Sequence, residues 1–114
     1  MSLSIAVVVR ENPFKTHRAA EALRIALGLS TGDNPLTVIL LNEAPNLLGE
    51  EPQDLVDADI LSKHLPVLKE LKIPFVVLSG AKAAFALDSD FAVREASKDE
   101  ITTLIKSTDR VLAF

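Results

Sequence analysis

A Ser-Gly pair at the junction between a predicted strand and a predicted helix is the strongest candidate for chemistry in this sequence. Ser79 and Gly80 directly follow an apolar run, and small residues come after them. The first N–H groups of a helix lack partners and carry partial positive charge, so they can hold an anion. Lys82, with Asn12 and Lys15 after the first strand, would add donors and positive charge. The simpler interpretation, which we favour, is that Ser79 is only a helix N-cap.

The two histidines give weaker indications of a site. His17 lies on the polar stripe of the first predicted helix and His64 in the first turn of a later one, so both are expected at the surface. Asp57 and His64 share a helical face only if that helix runs through Ser62 without interruption. Because no third ligand is evident, we do not expect a metal site.

Cysteine is absent from the chain, and so are the standard cofactor motifs. Without thiols the protein has no disulfide, no thiolate metal site, no cysteine nucleophile and no thiol redox chemistry. No GxGxxG follows the first strand, no GxxxxGK[ST] occurs, and GxSxG is missing. We therefore assign no catalytic residue and expect no cofactor.

The overall composition indicates one globular domain. Of the 114 residues, 48% are hydrophobic and 25% charged, which suits a single core, so we expect one domain over residues 1–114. The formal net charge of −4 argues against a nucleic-acid partner. Uncharged runs fall far short of the roughly 20 residues of a membrane span. With no recognisable signal peptide, we expect a soluble cytoplasmic protein that binds no membrane.

Apolar runs and amphipathic segments alternate along the chain. Short β-branched runs are typical of strands buried on both faces, and the segments between them carry apolar residues at helical spacing. This order predicts a three-layer α/β/α domain with a mainly parallel sheet of about five strands. The predicted strands are residues 3–9, 36–41, 74–79 and 110–114, and the predicted helices are residues 16–29, 62–72, 81–87 and a last one from 98 or 99.

Particular residues are expected to limit these elements. Thr16 is the predicted N-cap of the first helix and Ser62 of the second, which places Pro66 in a first turn, where its missing N–H costs nothing. Residues 42–53 are predicted to form an irregular acidic loop, and residues 88–96 remain open. The predicted core consists of Ile5, Val7, Val9, Leu23, Leu27, Val38, Leu40, Val76, Leu78, Leu104 and Val111.

Five segments that together cover nearly the whole chain carry a resemblance to a known family. They are IAVVVRENPF (5–14), THRAAEALRIALGL (16–29), LTVILLNEAPNLL (36–48), KIPFVVLSGAKAAFAL (72–87) and DRVLAF (109–114). The segments, with the characteristic D-x-V-L-x-F ending, resemble the DsrE/DsrF-like sulfur-relay family, whose members include the DsrEFH and TusBCD proteins. The resemblance implies a small α/β fold of the DsrEFH type and association into homo- or hetero-oligomers.

In active members of that family, a cysteine just after the third strand carries persulfide sulfur and passes it to a partner. The resemblance places Ser79 at this position, or Gly80 if the alignment shifts by one residue. A serine hydroxyl near neutral pH neither attacks a persulfide nor leaves again as a thiolate does. The resemblance therefore implies a member without carrier activity, acting as an oligomeric structural or binding subunit. The alternative is an enzyme that binds a small anion or nucleotide at Ser79 and Gly80.

Two predicted helices indicate self-association on their own. The first helix is apolar over most of its circumference, and residues 81–87 are nearly all small or apolar. We expect these surfaces to meet another subunit, in a homodimer, homotrimer or homohexamer or with DsrE-like partner subunits.

Overall fold

The computed structural model describes residues 3–32, 34–49 and 58–114. Within these ranges, strands and helices alternate along the chain as the sequence predicts. Their order is β1 (Ile5–Val9), α1 (Arg18–Leu29), β2 (Leu36–Leu40), a 3-10 helix (Ala44–Leu48), α2 (Ala58–Glu70), β3 (Phe75–Leu78), α3 (Ala81–Ala84), β4 (Val93–Ala96), α4 (Lys98–Ser107) and β5 (Arg110–Ala113).

The five strands form one sheet in the order β4-β3-β2-β1-β5, and every neighbouring pair is parallel. In the central part of the sheet, Val7 of β1 lies opposite Val38 of β2 and Leu112 of β5. The sequence-based prediction of a three-layer α/β/α domain with about five mainly parallel strands is confirmed. Because all strands run the same way, their carboxyl ends lie at one edge of the sheet.

The two faces of the sheet are covered unequally. We call the face that packs on α1, α2 and the 3-10 helix the first face, and the face that packs on α4 the second face. Alternate strand residues supply each of them, as the period of two in a strand requires. The first face uses Val7, Val9, Val38, Leu40, Phe75 and Val77. The second face uses Ala6, Val8, Ile39, Val76 and Ala96 with Ile101 of α4.

Most of the predicted core is confirmed, but two of its members are wrong. Val7, Val9, Leu23, Val38, Leu40 and Val76 are buried, and Ile5, Leu27 and Leu104 pack partly buried against the two clusters. In contrast, Leu78 is 40% and Val111 42% exposed. Both belong to the second face, because Leu78 follows Val76 by two residues and Val111 lies opposite Ala6. The ten-residue α4 is too short to cover them.

The predicted starts of two helices differ from the observed ones. Helix α1 begins at Arg18, although the Thr16 hydroxyl still accepts a hydrogen bond from the Arg18 N–H at 3.2 Å. Ser62 is not an N-cap, since it lies inside α2 and its hydroxyl donates to the Asp59 carbonyl at 2.7 Å. Pro66 therefore lies in the interior of α2 rather than in its first turn.

The segment predicted to be an irregular acidic loop is partly regular and buried. Residues Ala44, Pro45, Leu47 and Leu48 of the 3-10 helix are buried under the first face, so the prediction is wrong for this part. Residues 50–53 lie outside the described residues. The 3-10 helix begins four residues after the end of β2, and its apolar side chains pack into the core because the sheet face beneath is apolar.

The surfaces predicted to meet another subunit are partly used within the chain. Helix α1 packs against α2, and its Ala22 and Ala26 are fully buried. The small-residue segment forms only the four-residue α3, of which Ala81 is buried. The buried part of the wide apolar arc of α1 thus has an intrachain explanation, and the predicted association of these helices with another subunit stays a prediction.

Candidate functional site

The carboxyl edge of the sheet brings together the ends of β1, β2 and β3, where an open parallel sheet binds its ligands. Residue Asn42 follows β2 and its side-chain amide donates to the Arg10 carbonyl after β1 at 3.4 Å. Ser79 follows β3 directly. The predicted site residues are therefore at the expected edge, and the question is whether they meet.

Asn12 shapes the turn after β1. Its side-chain oxygen accepts the Phe14 N–H at 2.9 Å, and its carbonyl accepts the N–H groups of Lys15 and Thr16 at 3.1 and 3.2 Å. This is the Asx-turn role that Asn commonly has at such positions. Lys15 is exposed, so it contributes charge to the edge but no fixed contact.

The Ser79-Gly80 junction is a tight turn built on a left-handed glycine. Gly80 has φ +90°, a conformation that side chains disfavour, and it occupies the N-cap position of α3 without a side-chain cap. The Ser79 N–H continues the sheet by donating to the Ala96 carbonyl at 3.0 Å. The prediction that Ser79 is the N-cap is therefore wrong, because the chain turns one residue later.

A carboxylate of the same chain accepts hydrogen bonds from N–H groups at the start of α3, where the sequence predicts that an anion could bind. Glu95 of β4 accepts the Gly80 N–H at 2.7 Å and the Lys82 N–H at 3.2 Å through one oxygen, Oε2. The register of the sheet puts it there, since Val77 lies opposite Glu95 and Leu78 opposite Ala96. A negative charge thus already satisfies the start of α3.

Sequence reasoning missed Glu95 because it left residues 88–96 unassigned. A usable signal was present, however: Ser97 and Glu100 form a capping box that fixes the start of α4. Ser97 accepts the Glu100 N–H, and Glu100 accepts the Ser97 N–H, both at 3.1 Å. A helix beginning at residue 98 leaves room for a short strand immediately before it.

The structure does not bring the two halves of the predicted site together. Asn12 and Lys15 follow β1, whereas Ser79, Gly80 and Lys82 follow β3, and β2 lies between these strands. Two strand spacings amount to about 10 Å. The described residues contain no hydrogen bond between the two turns.

Contacts with α2 and with the 3-10 helix hold the segment between α3 and β4 on the side of the first face. Lys69 of α2 forms an ion pair with Asp88 at 2.7 Å and lies 4.9 Å from the centre of the Phe91 ring. The Asp88 N–H donates to the Leu48 carbonyl at 2.8 Å. The hydrogen bond from Lys69, followed by that from the Asp90 N–H, lowers the pKa of Asp88. These contacts fix the chain that leads into β4 and so position Glu95.

The histidines form no site with the described residues. His17 is exposed, as predicted. His64 is half-buried rather than fully exposed, and its Nδ1 is buried with no hydrogen-bond partner among the described residues. Asp57, its proposed neighbour, lies outside them. Among residues 3–32, 34–49 and 58–114, no three His, Asp or Glu side chains cluster as a metal site would require.

A groove opens beside Ser79 on the second face. It has a volume of about 370 Å³. Its lining is mostly aliphatic and includes the polar side chains of Asn42, Lys98 and Thr102. The lining consists of Leu41, Asn42, Leu78, Lys98, Ile101, Thr102 and Ile105. Within the described part of the chain, the groove therefore offers a mainly apolar surface.

The fold is a small three-layer α/β domain with an all-parallel sheet. In the turn after β3, the backbone N–H groups are bonded to the Glu95 carboxylate of the same chain. A model of the DsrE/DsrF-like family matches residues 3–114. The chain therefore belongs to the DsrE/DsrF-like family, and it is a member without the family's active-site cysteine.

A solved structure shares this fold over its full length. The crystal structure of the ychN protein from E. coli is 19% identical, covers 100% of both chains and superposes with a TM-score of 0.75. A search of curated protein sequences finds no match. Among the described helices, none has the length and apolar character that crossing a bilayer demands.

Proposed function

We propose that this chain is a non-catalytic DsrE/DsrF-like protein, a structural or binding subunit of a cytoplasmic oligomer linked to sulfur relay. The observation that carries the proposal is the turn after β3. The resemblance assigns a sulfur-carrying cysteine to this turn, and the chain has Ser79 there and no cysteine at any position.

The electrostatics of the turn support the same proposal. A persulfide carrier works as a thiolate, and donors or positive charge near it stabilise that anion. In this chain the N–H groups of Gly80 and Lys82, close after residue 79, donate to the Glu95 carboxylate. A sulfur atom at position 79 would therefore lie near the negative charge of Glu95. It would receive no hydrogen bond from the Gly80 and Lys82 N–H groups, because these are already paired.

The alternative, an enzyme that binds a small anion or nucleotide at Ser79 and Gly80, is less well supported. An incoming anion would have to displace Glu95 from both amides and tolerate its charge. Helix α3 has only four residues, so its dipole is small and adds little attraction. Lys82 and Lys15 are exposed, and β2 lies between the strands that they follow.

Sulfur transfer from a persulfide donor to a thiol acceptor tests the proposal. The wild-type protein should show no turnover, and measurable turnover would overturn the proposal. Ser79→Cys should gain one sulfur atom by mass spectrometry. The introduced thiolate attacks the outer sulfur of the donor, the donor S–S bond breaks, and the donor thiolate leaves.

Matched variants show whether position 79 is special. Ser89→Cys is a control, because Ser89 is also exposed and follows the same α3 segment. It should be persulfidated less than Ser79→Cys. Adding Glu95→Gln to Ser79→Cys should raise the yield by removing the nearby negative charge. Equal yields at both positions would remove the support that the resemblance gives to residue 79.

Oligomerisation is tested separately. Sedimentation at micromolar concentration should give a mass that is a multiple of 12.3 kDa. A monomer under these conditions would overturn the subunit part of the proposal and leave the absence of sulfur transfer unaffected.

A further inference from the structure

Helix α2 carries an apolar stripe that the described part of the chain leaves about half exposed. Ile60, Val67 and Leu71 are 45%, 40% and 52% exposed, and the half-buried His64 lies between them. Leu71 continues the last turn of α2, since its N–H donates to the Val67 carbonyl at 2.9 Å. The spacing i, i+4, i+7, i+11 places all four residues in one line along the helix.

This stripe is additional to the one that anchors α2 to the sheet. Leu61 and Leu68 are buried and Leu65 is partly buried against the first face. The two stripes are offset by one residue, which is about 100° around a helix. The apolar surface of α2 therefore extends well beyond what the core requires, and it extends along about 17 Å of helix.

We propose that two copies of this chain pair through this stripe, with their α2 helices antiparallel about a two-fold axis midway between His64 and Val67. Ile60 then lies opposite Leu71 of the second copy, and His64 lies opposite Val67 of the second copy. The proposal rests on the oligomer proposed above and names the surface that forms it.

Charge complementarity specifies the second copy as the occupant. Lys63 and Glu70 flank the stripe on its solvent side, and both are exposed. In the antiparallel arrangement, Lys63 and Glu70 of the second copy both lie between the Ile60–Leu71 contact and the His64–Val67 contact, on the same side of the stripe. The two-fold axis repeats this pair. Among the described residues, neither side chain forms an ion pair within its own chain. Such flanking charges set orientation in paired helices.

The same charges favour the antiparallel over the parallel arrangement. If the two helices ran in the same direction, the two-fold axis would lie parallel to them and would place the Lys63 and Glu70 side chains of the two copies on opposite sides of the contact. No Lys63–Glu70 pair could then form between the copies. The antiparallel arrangement keeps these side chains on the same side and gains two attractive pairs while keeping the apolar stripe in contact.

A charge-reversal series measured by sedimentation velocity at micromolar concentration tests the proposal. Lys63→Glu and Glu70→Lys each replace two attractive pairs by two repulsive ones. Each should weaken the two-fold contact at least about tenfold and halve the mass, from dimer to monomer or from hexamer to trimer. The double variant, Lys63→Glu with Glu70→Lys, should restore the wild-type mass. A double variant that stays dissociated overturns the antiparallel register.

A matched pair of valines tests the apolar part. Val67 and Val111 are 40% and 42% exposed, but Val111 lies on β5 and not on α2. Val67→Asp should halve the mass, and Val111→Asp should not. Far-ultraviolet circular dichroism confirms that each variant is folded. If the wild type is an oligomer and Val67→Asp leaves its mass unchanged, the α2 surface is wrong and the oligomer stands. If the wild type is a monomer, the oligomer is wrong as well.

Discussion

The two faces of the sheet differ in how they are covered, although the same five strands supply both. On the first face, α1, α2 and the 3-10 helix bury the inward side chains of the three central strands, namely Val7, Val9, Val38, Leu40, Phe75 and Val77. At the edge strand β5, Leu112 lies opposite Val7 and is 38% exposed. On the second face, α4 alone covers the centre and leaves Leu78 and Val111 exposed. The first face therefore contributes most of the buried core, and the second face leaves more apolar strand surface accessible.

The difference also bears on the turn after β3, which contacts both faces. Glu95 reaches this turn from β4, and Leu78 lines the groove of the second face. The ion pair of Lys69 and Asp88 lies on the first face and fixes the approach to β4. A turn closed by its own carboxylate beside an apolar groove is consistent with the proposed subunit role.

The largest expected effect is on the first face. Phe75 is fully buried and packs edge-to-face on Phe91 with ring centres 5.8 Å apart. Phe75→Ala should lower the free energy of unfolding by about 3–5 kcal/mol, through lost burial and the cavity left behind. Urea denaturation measures this, and an effect smaller than that of Ile101→Ala on the second face would contradict the comparison.

A smaller effect is expected on the second face. Ile101 of α4 is 4% exposed and joins a cluster of six buried residues. Ile101→Ala should cost about 2–3 kcal/mol, at the lower end of such truncations, because neighbouring surface is already open to water. Hydrogen exchange should show lost protection in α4 and unchanged protection in α1. Loss of protection in α1 to the same degree would mean that the two faces unfold as one unit.

The cap of α4 gives the next smaller effect. Ser97→Ala removes the side-chain half of the capping box and should cost about 1 kcal/mol. Thr108→Ala is a control near the other end of α4, where the hydroxyl bonds only to the Leu104 carbonyl. Thermal denaturation compares the two. A larger loss for Thr108→Ala would show that α4 depends on its C-terminal end instead.

The smallest effect concerns acid stability. The hydrogen bond from Lys69 lowers the pKa of Asp88, and the hydrogen bonds from the Ser4 N–H and hydroxyl lower the pKa of Asp109. Because the pKa values in the folded state lie below those of the unfolded chain, about 3.9, both groups stabilise the fold above that pH. This stabilisation is lost as the pH falls through the folded-state values.

Carboxyl chemical shifts followed by NMR check this directly. Both groups should titrate below pH 3.9 in the wild type. Lys69→Met should return the pKa of Asp88 toward its ordinary value and leave Asp109 unchanged. The gain from the Lys69 pair should stay below about 1 kcal/mol, because water screens a partly exposed pair. An unchanged Asp88 in Lys69→Met would show that the Asp90 N–H causes the shift.

The sequence predicted β1, β2 and β3 because each is a short apolar run that is buried on both sides, and it also predicted the edge strand β5. It did not predict β4, whose sequence VREA carries Arg94 and Glu95. It failed for the start of α2, where Ser62 and Pro66 resemble a cap and a first turn. Tertiary packing of Leu61 and Leu68 on the sheet outweighs the hydrogen bond lost at Pro66 and the crowding of its ring against the preceding turn. It also failed for Leu78 and Val111, because apolar patterning gives the face of a residue but not the length of the helix above it.

The sequence predicted the position of the candidate site, but it did not predict that Glu95 bonds to the N–H groups there. Ser79 and Gly80 were identifiable because a strand end and a glycine coincide there. The bond from Glu95 depends on the register between β3 and β4, residues 15 apart in sequence. This register cannot be inferred from a local pattern of residue types. Only the structure therefore identifies Glu95 as the partner of the Gly80 and Lys82 N–H groups.

The position of β5 at the edge of the sheet has a consequence for biosynthesis. β1 has β2 on one side, but its other side is closed only by residues 110–113, and Ser4 contacts Asp109 across 105 positions of sequence. Until that last strand is translated, the nascent protein presents the backbone edge of the apolar run IAVVV to other chains. Late closure of such a distant pair is also slow. Chaperone demand during translation should therefore concentrate on the first strand of this protein rather than on its last.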